Sequence, residues 1–191
     1  HRLQEIIELQ CKDETYYEIF KILIENIDEK KSLFQIFNFL KMKMKISKDK
    51  FYEICKIYEN NKSIFFLPKY NQEKSTKKIY CYNHSFLNAI SHTKKFKSEF
   101  SNMVFLELIN KYEEIYYLDN IDFYKKTKNI AIVPIPFFNT FLTGNLIKKI
   151  IKNAYELNIN EINIVTISNN EKINDPKIKL NVIPFYEWAL S

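Results

Sequence analysis

Three histidines and three cysteines are the chain's whole stock of soft metal ligands. Cys81, His84 and His92 stand in a C-x2-H-x7-H pattern. Zinc usually takes two tight ligand pairs, and no fourth ligand is evident, so the pattern reads as a strand cysteine with two surface or RNA-facing histidines. Ser85, Ser91 and Ser101 lie near these histidines, yet no G-x-S-x-G elbow holds a nucleophile at a strand-to-helix turn. Glu113, Glu114, Asp119 and Asp122 offer carboxylates for acid–base work. With no visible partner they read as a solvated helix end. Gly144 is the only glycine, so the sequence has neither a dinucleotide fingerprint nor a Walker loop to cradle phosphate. The expectation is a protein that is not an enzyme and holds no cofactor and no metal.

Lysine is the remaining chemistry. The chain carries 29 Lys+Arg against 23 Asp+Glu, a formal charge of +6. Arg2 is the only arginine. Lysine is a solvated point charge suited to phosphate, whereas arginine brings the planar fork that reads base edges. An RNA partner contacted through its backbone is therefore expected. Lysines cluster at 41–50, 94–97 and 148–152, and a merely solvated face is the competing reading of each cluster. The expected RNA-binding residues are Lys69, His84, His92, Lys94, Lys95 and Lys97. Lys69 closes one apolar run and the others follow the next, which would bring them to the C-terminal edge of one sheet.

These residues need elements to hold them. With 46% hydrophobic residues the chain can bury a sizeable core, and no apolar run is long enough for a membrane helix. The abundance of Ile, Lys, Asn, Phe and Tyr matches AT-rich codons and lowers the information in any single surface Lys or Asn. Three widely spaced cysteines read as reduced thiols. The chain opens at His1 rather than Met, which is compatible with an upstream leader.

Residues 3–11 read as a short helix, and Leu33, Phe34, Phe37, Leu40 and Met44 recur at helical spacing, as do Phe51, Ile54, Cys55 and Tyr58 in a segment closed by left-handed Asn60-Asn61. A helix over 145–157, capped by Thr143 and stopped by Asn158, shows one wide apolar stripe. Phe86–Leu118 reads as mostly helical. Short apolar runs near 63–67, 79–82, 130–133, 162–167 and 180–183 read as strands buried on both faces, and the run 20–27, ambiguous between strand and helix, is counted with them. The expected fold is α/β: a mainly parallel open sheet, Rossmann-like or flavodoxin-like, with a shortened helical insertion. The expected organisation is a helical N-terminal extension over 1–17 and a single α/β domain over 18–191.

The C-terminal third resembles the small-subunit ribosomal protein two family. Ala154–Ile159 matches its helix end and turn, Ile162–Ile167 its strand, and Ile183-Pro184 the start of its final signature. Ile64–Lys69, Tyr82–Ala89 and Phe20–Ile27 resemble earlier segments of that family in the same order. Ser85, Asn88, Ala89 and Phe185–Glu187 depart from its Arg, Gly and Gly-Asn-Asp positions. The resemblance implies a structural constituent of an organellar small ribosomal subunit at the head–body junction. Ribosomal RNA and neighbouring small-subunit proteins would be its partners, with no membrane and no small-molecule substrate. It would act in the mitochondrial matrix, or alternatively in a plastid-type organelle. Val182–Trp188, VIPFYEW, also looks like the end of a RAP domain, an organellar RNA-binding module with a nuclease-like fold. That family sets its helix directly before this strand, whereas here Ile162–Ile167 and a charged loop intervene and no acidic strand of its kind is read upstream, so this is the second reading. A degenerate flavodoxin-like enzyme subunit is the third reading.

Overall fold

The computed structural model describes residues 11–72, 76–90, 95–111 and 114–190, and the helix expected over 3–11 lies outside them except at its last residue. The chain forms two compact units, one of His1–Pro68 with Gln72–Met103 and one of Lys69–Asn71 with Val104–Ser191. The boundary expected after residue 17 instead falls inside a helix, Glu14–Glu25.

The first unit is built on that helix, α1. Asp13 caps it by accepting the Tyr16 N–H at 3.1 Å, which satisfies one of the N–H groups left over at a helix start. Tyr16, Ile19, Phe20, Ile22, Leu23 and Ile24 are all buried. A helix covered on most sides reads in sequence as a continuous apolar run, which is why 20–27 looks like a strand. The expected strand survives only as one parallel bridge between Ile27 and Ile79. Helices α2 (Leu33–Lys41) and α3 (Lys48–Asn60) follow as expected. Ser32 and Gln35 form a reciprocal capping box on α2, and Ser47 caps α3. Beyond α3 the left-handed residue is Lys62 (φ 60°) rather than Asn60 or Asn61.

Strands β1 (Ile64–Leu67) and β2 (Lys78–Cys81) pair antiparallel in a two-stranded ladder of their own, with Ile64 opposite Cys81. They were expected in one parallel sheet with the later strands. Only ten residues join them, too few for a parallel crossover with a helix. A buried ion pair sets the start of β2: Lys78 Nζ lies 2.7 Å from Asp28 Oδ1, which also accepts the Tyr80 hydroxyl at 3.0 Å. At the other end Asn102 clasps the Cys81 backbone, accepting its N–H at 2.8 Å and donating to its carbonyl at 2.9 Å. Asn102 lies on α5 (Phe96–Lys111), whose residues up to Met103 belong to this unit; the short helix α4 (Phe86–Ile90) precedes it.

The second unit holds a six-stranded mixed sheet in the order β3-β4-β5-β6-β8-β7. Its strands are β3 (Ile115–Leu118), β4 (Ile121–Lys125), β5 (Ile130–Pro134), β6 (Glu161–Thr166), β7 (Glu171–Ile173) and β8 (Lys179–Pro184). The strands expected near 130–133, 162–167 and 180–183 are present and run parallel. The sheet as a whole is not mainly parallel, because β3–β4, β4–β5 and β7–β8 pair antiparallel. Strand β3 lies in the stretch expected to be helical; Tyr116, Tyr117 and Leu118 favour a pleated, half-buried surface. Asp119 occupies the turn between β3 and β4, and Asp122 lies on β4, so neither ends a helix. Glu114 immediately precedes β3, and Glu113 is outside the described residues.

Helix α6 (Thr140–Glu156) connects β5 to β6 and starts earlier than expected. Thr143 is therefore inside the helix, its hydroxyl donating to the Asn139 carbonyl at 2.6 Å. Ile147, Ile150 and Ala154 share one core with Ala131, Val133, Ile162, Ile164, Leu180 and Val182. Helix α7 (Phe185–Ala189) closes the chain directly after β8.

Two substitutions test these contacts. Asn102→Ala strips both partners from the Cys81 peptide groups and is expected to destabilise by about 2–4 kcal/mol in urea unfolding. Gly144 has a helical backbone without positive φ and nothing within 4 Å of where a Cβ would sit. Gly144→Ala is expected to stabilise by about 0.5–1 kcal/mol in the same measurement.

Candidate nucleic-acid interface

Of the six residues singled out in the sequence, Lys69 lies in the second unit and His84, Lys95 and Lys97 lie in the first. Lys69 belongs to the second unit, where its ammonium pairs with Asp119 at 2.9 Å. Lys95, in the first unit, donates to the Glu25 carbonyl at 2.7 Å and lies 3.4 Å from Glu29. Each carries a carboxylate neighbour that offsets its charge toward phosphate. Lys97 is exposed on the first turn of α5, and His84 sits half-buried in the turn before α4. His92 and Lys94 lie outside the described residues. Lys69 follows β1 of the separate ladder and meets the main sheet as a single parallel bridge to Tyr117 of β3.

A denser arrangement lies on the second unit's sheet, on the side away from α6. Side chains alternate along a strand, so Ile162, Ile164, Leu180 and Val182 facing α6 turn Glu161, Asn163, Lys179 and Asn181 the other way. The parallel register sets Glu161 beside Lys179 and Asn163 beside Asn181. A cleft of about 500 Å³ opens there. Its floor is these four residues with Ile130, Ile132 and Ile183, and Leu108 and Trp188 form apolar wall. Five lysines line it: Lys111 from α5, Lys125 from β4, Lys128 from the β4–β5 turn, Lys172 from β7 and Lys179 from β8.

The polar side chains are held in a relay. Lys179 Nζ is 3.2 Å from Glu161 Oε2, and the Asn181 amide donates to Glu161 Oε1 at 3.3 Å and to Asn163 Oδ1 at 3.0 Å. Lys111 pairs with Glu107 at 3.2 Å and donates to the Ala189 carbonyl at the end of α7. Asn129, left-handed at φ 54°, ties the β4–β5 turn to the α6–β6 turn by donating to the Asn158 carbonyl at 2.7 Å. Among the described lining residues Glu161 is the one carboxylate, so the cleft offers a site for anions.

None of the polar residues of this cleft is singled out in the sequence: Glu161, Asn163 and Asn181 are missed there, as are Lys111, Lys125, Lys128, Lys172 and Lys179. The signal is a shared pattern, Glu-Ile-Asn-Ile-Val in β6 and Lys-Leu-Asn-Val-Ile in β8, with polar side chains at alternate positions. Taken as continuous apolar runs, both strands hide that alternation.

Among the described residues no three His, Cys, Asp or Glu side chains gather where they would hold a metal ion, and no helix is long and apolar enough to cross a membrane. Cys81 is buried and its Sγ donates to the Asn83 carbonyl at 3.0 Å. Burial pushes the thiols of Cys55 and Cys81 up to about 12. Both remain protonated through neutral and mildly alkaline pH, and the thiolate is the reactive form. Iodoacetamide at pH 7–9 is therefore expected to alkylate only partly exposed Cys11 in the native protein and all three cysteines after denaturation, as read by mass spectrometry. Comparison with protein families, with curated proteins and with solved structures finds no match to this chain.

Proposed function

We propose that the chain is a non-catalytic RNA-binding protein of an organelle, mitochondrial in the first place, whose second unit holds RNA backbone in the lysine-lined cleft. The observation that carries this reading is the gathering of five lysines around one cleft whose described lining residues include a single carboxylate. Lysine neutralises phosphate without reading sequence, so the contact supplies affinity and position rather than a base code.

The RAP-like tail supports the same place. Its strand is β8, its Pro184 starts α7, and its Trp188 walls the cleft. The acidic strand missing from the sequence reading has a counterpart in β4 with Asp122. Strand β6 still intervenes between α6 and β8, which departs from that family's order. The three antiparallel pairings favour a nuclease-like sheet over a Rossmann-like or flavodoxin-like one. The ribosomal small-subunit reading keeps the parallel β5–α6–β6 unit, whose helix end at 154–159 is among its matching segments. It loses its first strand to α1 and its Ile64–Lys69 strand to a separate ladder, so it ranks second. On that reading ribosomal RNA would occupy the same cleft.

The test is the salt dependence of binding to a single-stranded oligoribonucleotide. Replacing Lys128, Lys172 and Lys179 together by Gln should lower the slope of log affinity against log salt by about 2 units, since each phosphate contact on a single strand contributes about 0.7. Replacing Lys94, Lys95 and Lys97 by Gln should leave the slope nearly unchanged. The opposite result would return the site to the first unit.

A further inference from the structure

We infer that the cleft of the second unit is a pocket for one unpaired nucleotide, with the base on the Asn163 and Asn181 amides and the strand's phosphates around it among the lysines, so that the protein selects single-stranded RNA. This rests on the RNA-backbone reading above. Size is the first argument. At about 500 Å³ the cleft falls within the range of about 300–1,000 Å³ that encloses one small ligand. Double-stranded RNA is instead met along its minor groove and backbone, largely by shape, over a long surface.

The second argument is the fixed orientation of the two amides. An ionised carboxylate only accepts hydrogen bonds, so Glu161 makes Asn181 present its NH2 group, and that same group donates to Asn163 Oδ1. Asn163 must then turn its own NH2 group elsewhere, and Asn181 its carbonyl oxygen. Neither of these two groups has a partner among the described residues, although Asn163 is only 8% exposed. The cleft floor therefore carries one donor beside one acceptor. An unpaired base offers the complement, an acceptor beside a donor on its Watson–Crick edge. Ile132, Ile183 and Trp188 supply apolar surface beside the amides for the base itself. In a duplex that edge is already paired, and a base must leave the stack before it reaches the floor.

Fluorescence anisotropy with a short single-stranded oligoribonucleotide, and with the same strand annealed to its complement, tests the inference. Unpairing a base costs enough that the duplex should bind at least about tenfold more weakly at equal salt. The Asn163→Leu/Asn181→Leu variant should lose most of that preference while keeping the wild-type salt slope. Equal binding of single strand and duplex by the wild type overturns the nucleotide pocket and leaves the lysine site standing if its slope change is found. No measurable RNA binding overturns both.

A wild-type measurement covers the case in which the double variant does not fold. Ribonucleoside 5′-monophosphates should displace the labelled oligonucleotide at concentrations at least about tenfold below those at which inorganic phosphate does, because the amides add contacts that phosphate lacks. Displacement at equal concentrations overturns the proposal.

Discussion

The register of β6 against β8 is the constraint on which the second unit depends. Pairing Ile162 with Leu180 and Ile164 with Val182 places four apolar side chains against α6. The intervening residues Glu161, Asn163, Lys179 and Asn181 then fall together on the other side. A slip of one residue in either strand would turn its polar set into the α6 core and its apolar set to the cleft, so burial on one face enforces polar alignment on the other. The core that stabilises the sheet and the arrangement that can bind a ligand follow from one pairing. Strand β5 extends the same logic, with Ala131 and Val133 toward α6 and Ile130 and Ile132 toward the cleft.

Turns in a chain with one glycine need another source of left-handed backbone. Asn71, Asn120, Asn129 and Asn158 supply it at φ between 54° and 60°, and Asp28 and Lys62 do the same at 62° and 60°. Asn tolerates this region because its short amide bonds locally, and the Asn129 amide also makes tertiary contacts. The Asn129 side chain accepts the Tyr124 hydroxyl at 3.1 Å while donating to the Asn158 carbonyl. One turn residue thus braces two turns at the end of the sheet from which Lys128 projects. An abundance of Asn that looks like codon bias in the sequence carries part of the architecture.

Charge has different weight at different places in this chain. The Lys78–Asp28 pair is almost fully buried and hydrogen-bonded to Tyr80, so losing one partner would strand a charge in the first unit's core. Lys69–Asp119 and Lys50–Glu53 are exposed pairs of the kind worth about 0–1 kcal/mol each. The cleft lysines surround a shared space in larger number than the described carboxylates there, with Lys111 and Lys179 paired to Glu107 and Glu161 and Lys125 buried. Net charge of +6 alone does not distinguish these three roles.

The sequence by itself determined the elements whose apolar period is long or whose ends are marked: α2, α3 and α6 by helical spacing, with Asn158 stopping α6, and β5, β6 and β8 by short apolar runs bounded by Pro or Asn. It also showed that any anion contact must rest on lysine. Tertiary structure decided the rest. Burial on most sides made a helix of Phe20–Glu25, because a continuous apolar run does not declare its period. A ten-residue connection turned β1 and β2 into a hairpin rather than members of the main sheet. The β3–β4 pair depends on partners across the turn, which composition alone does not reveal. The candidate site was the least legible part, because Lys125, Asn163, Asn181 and Lys172 are ordinary residues far apart in sequence. Only strand order and register bring them to one cleft.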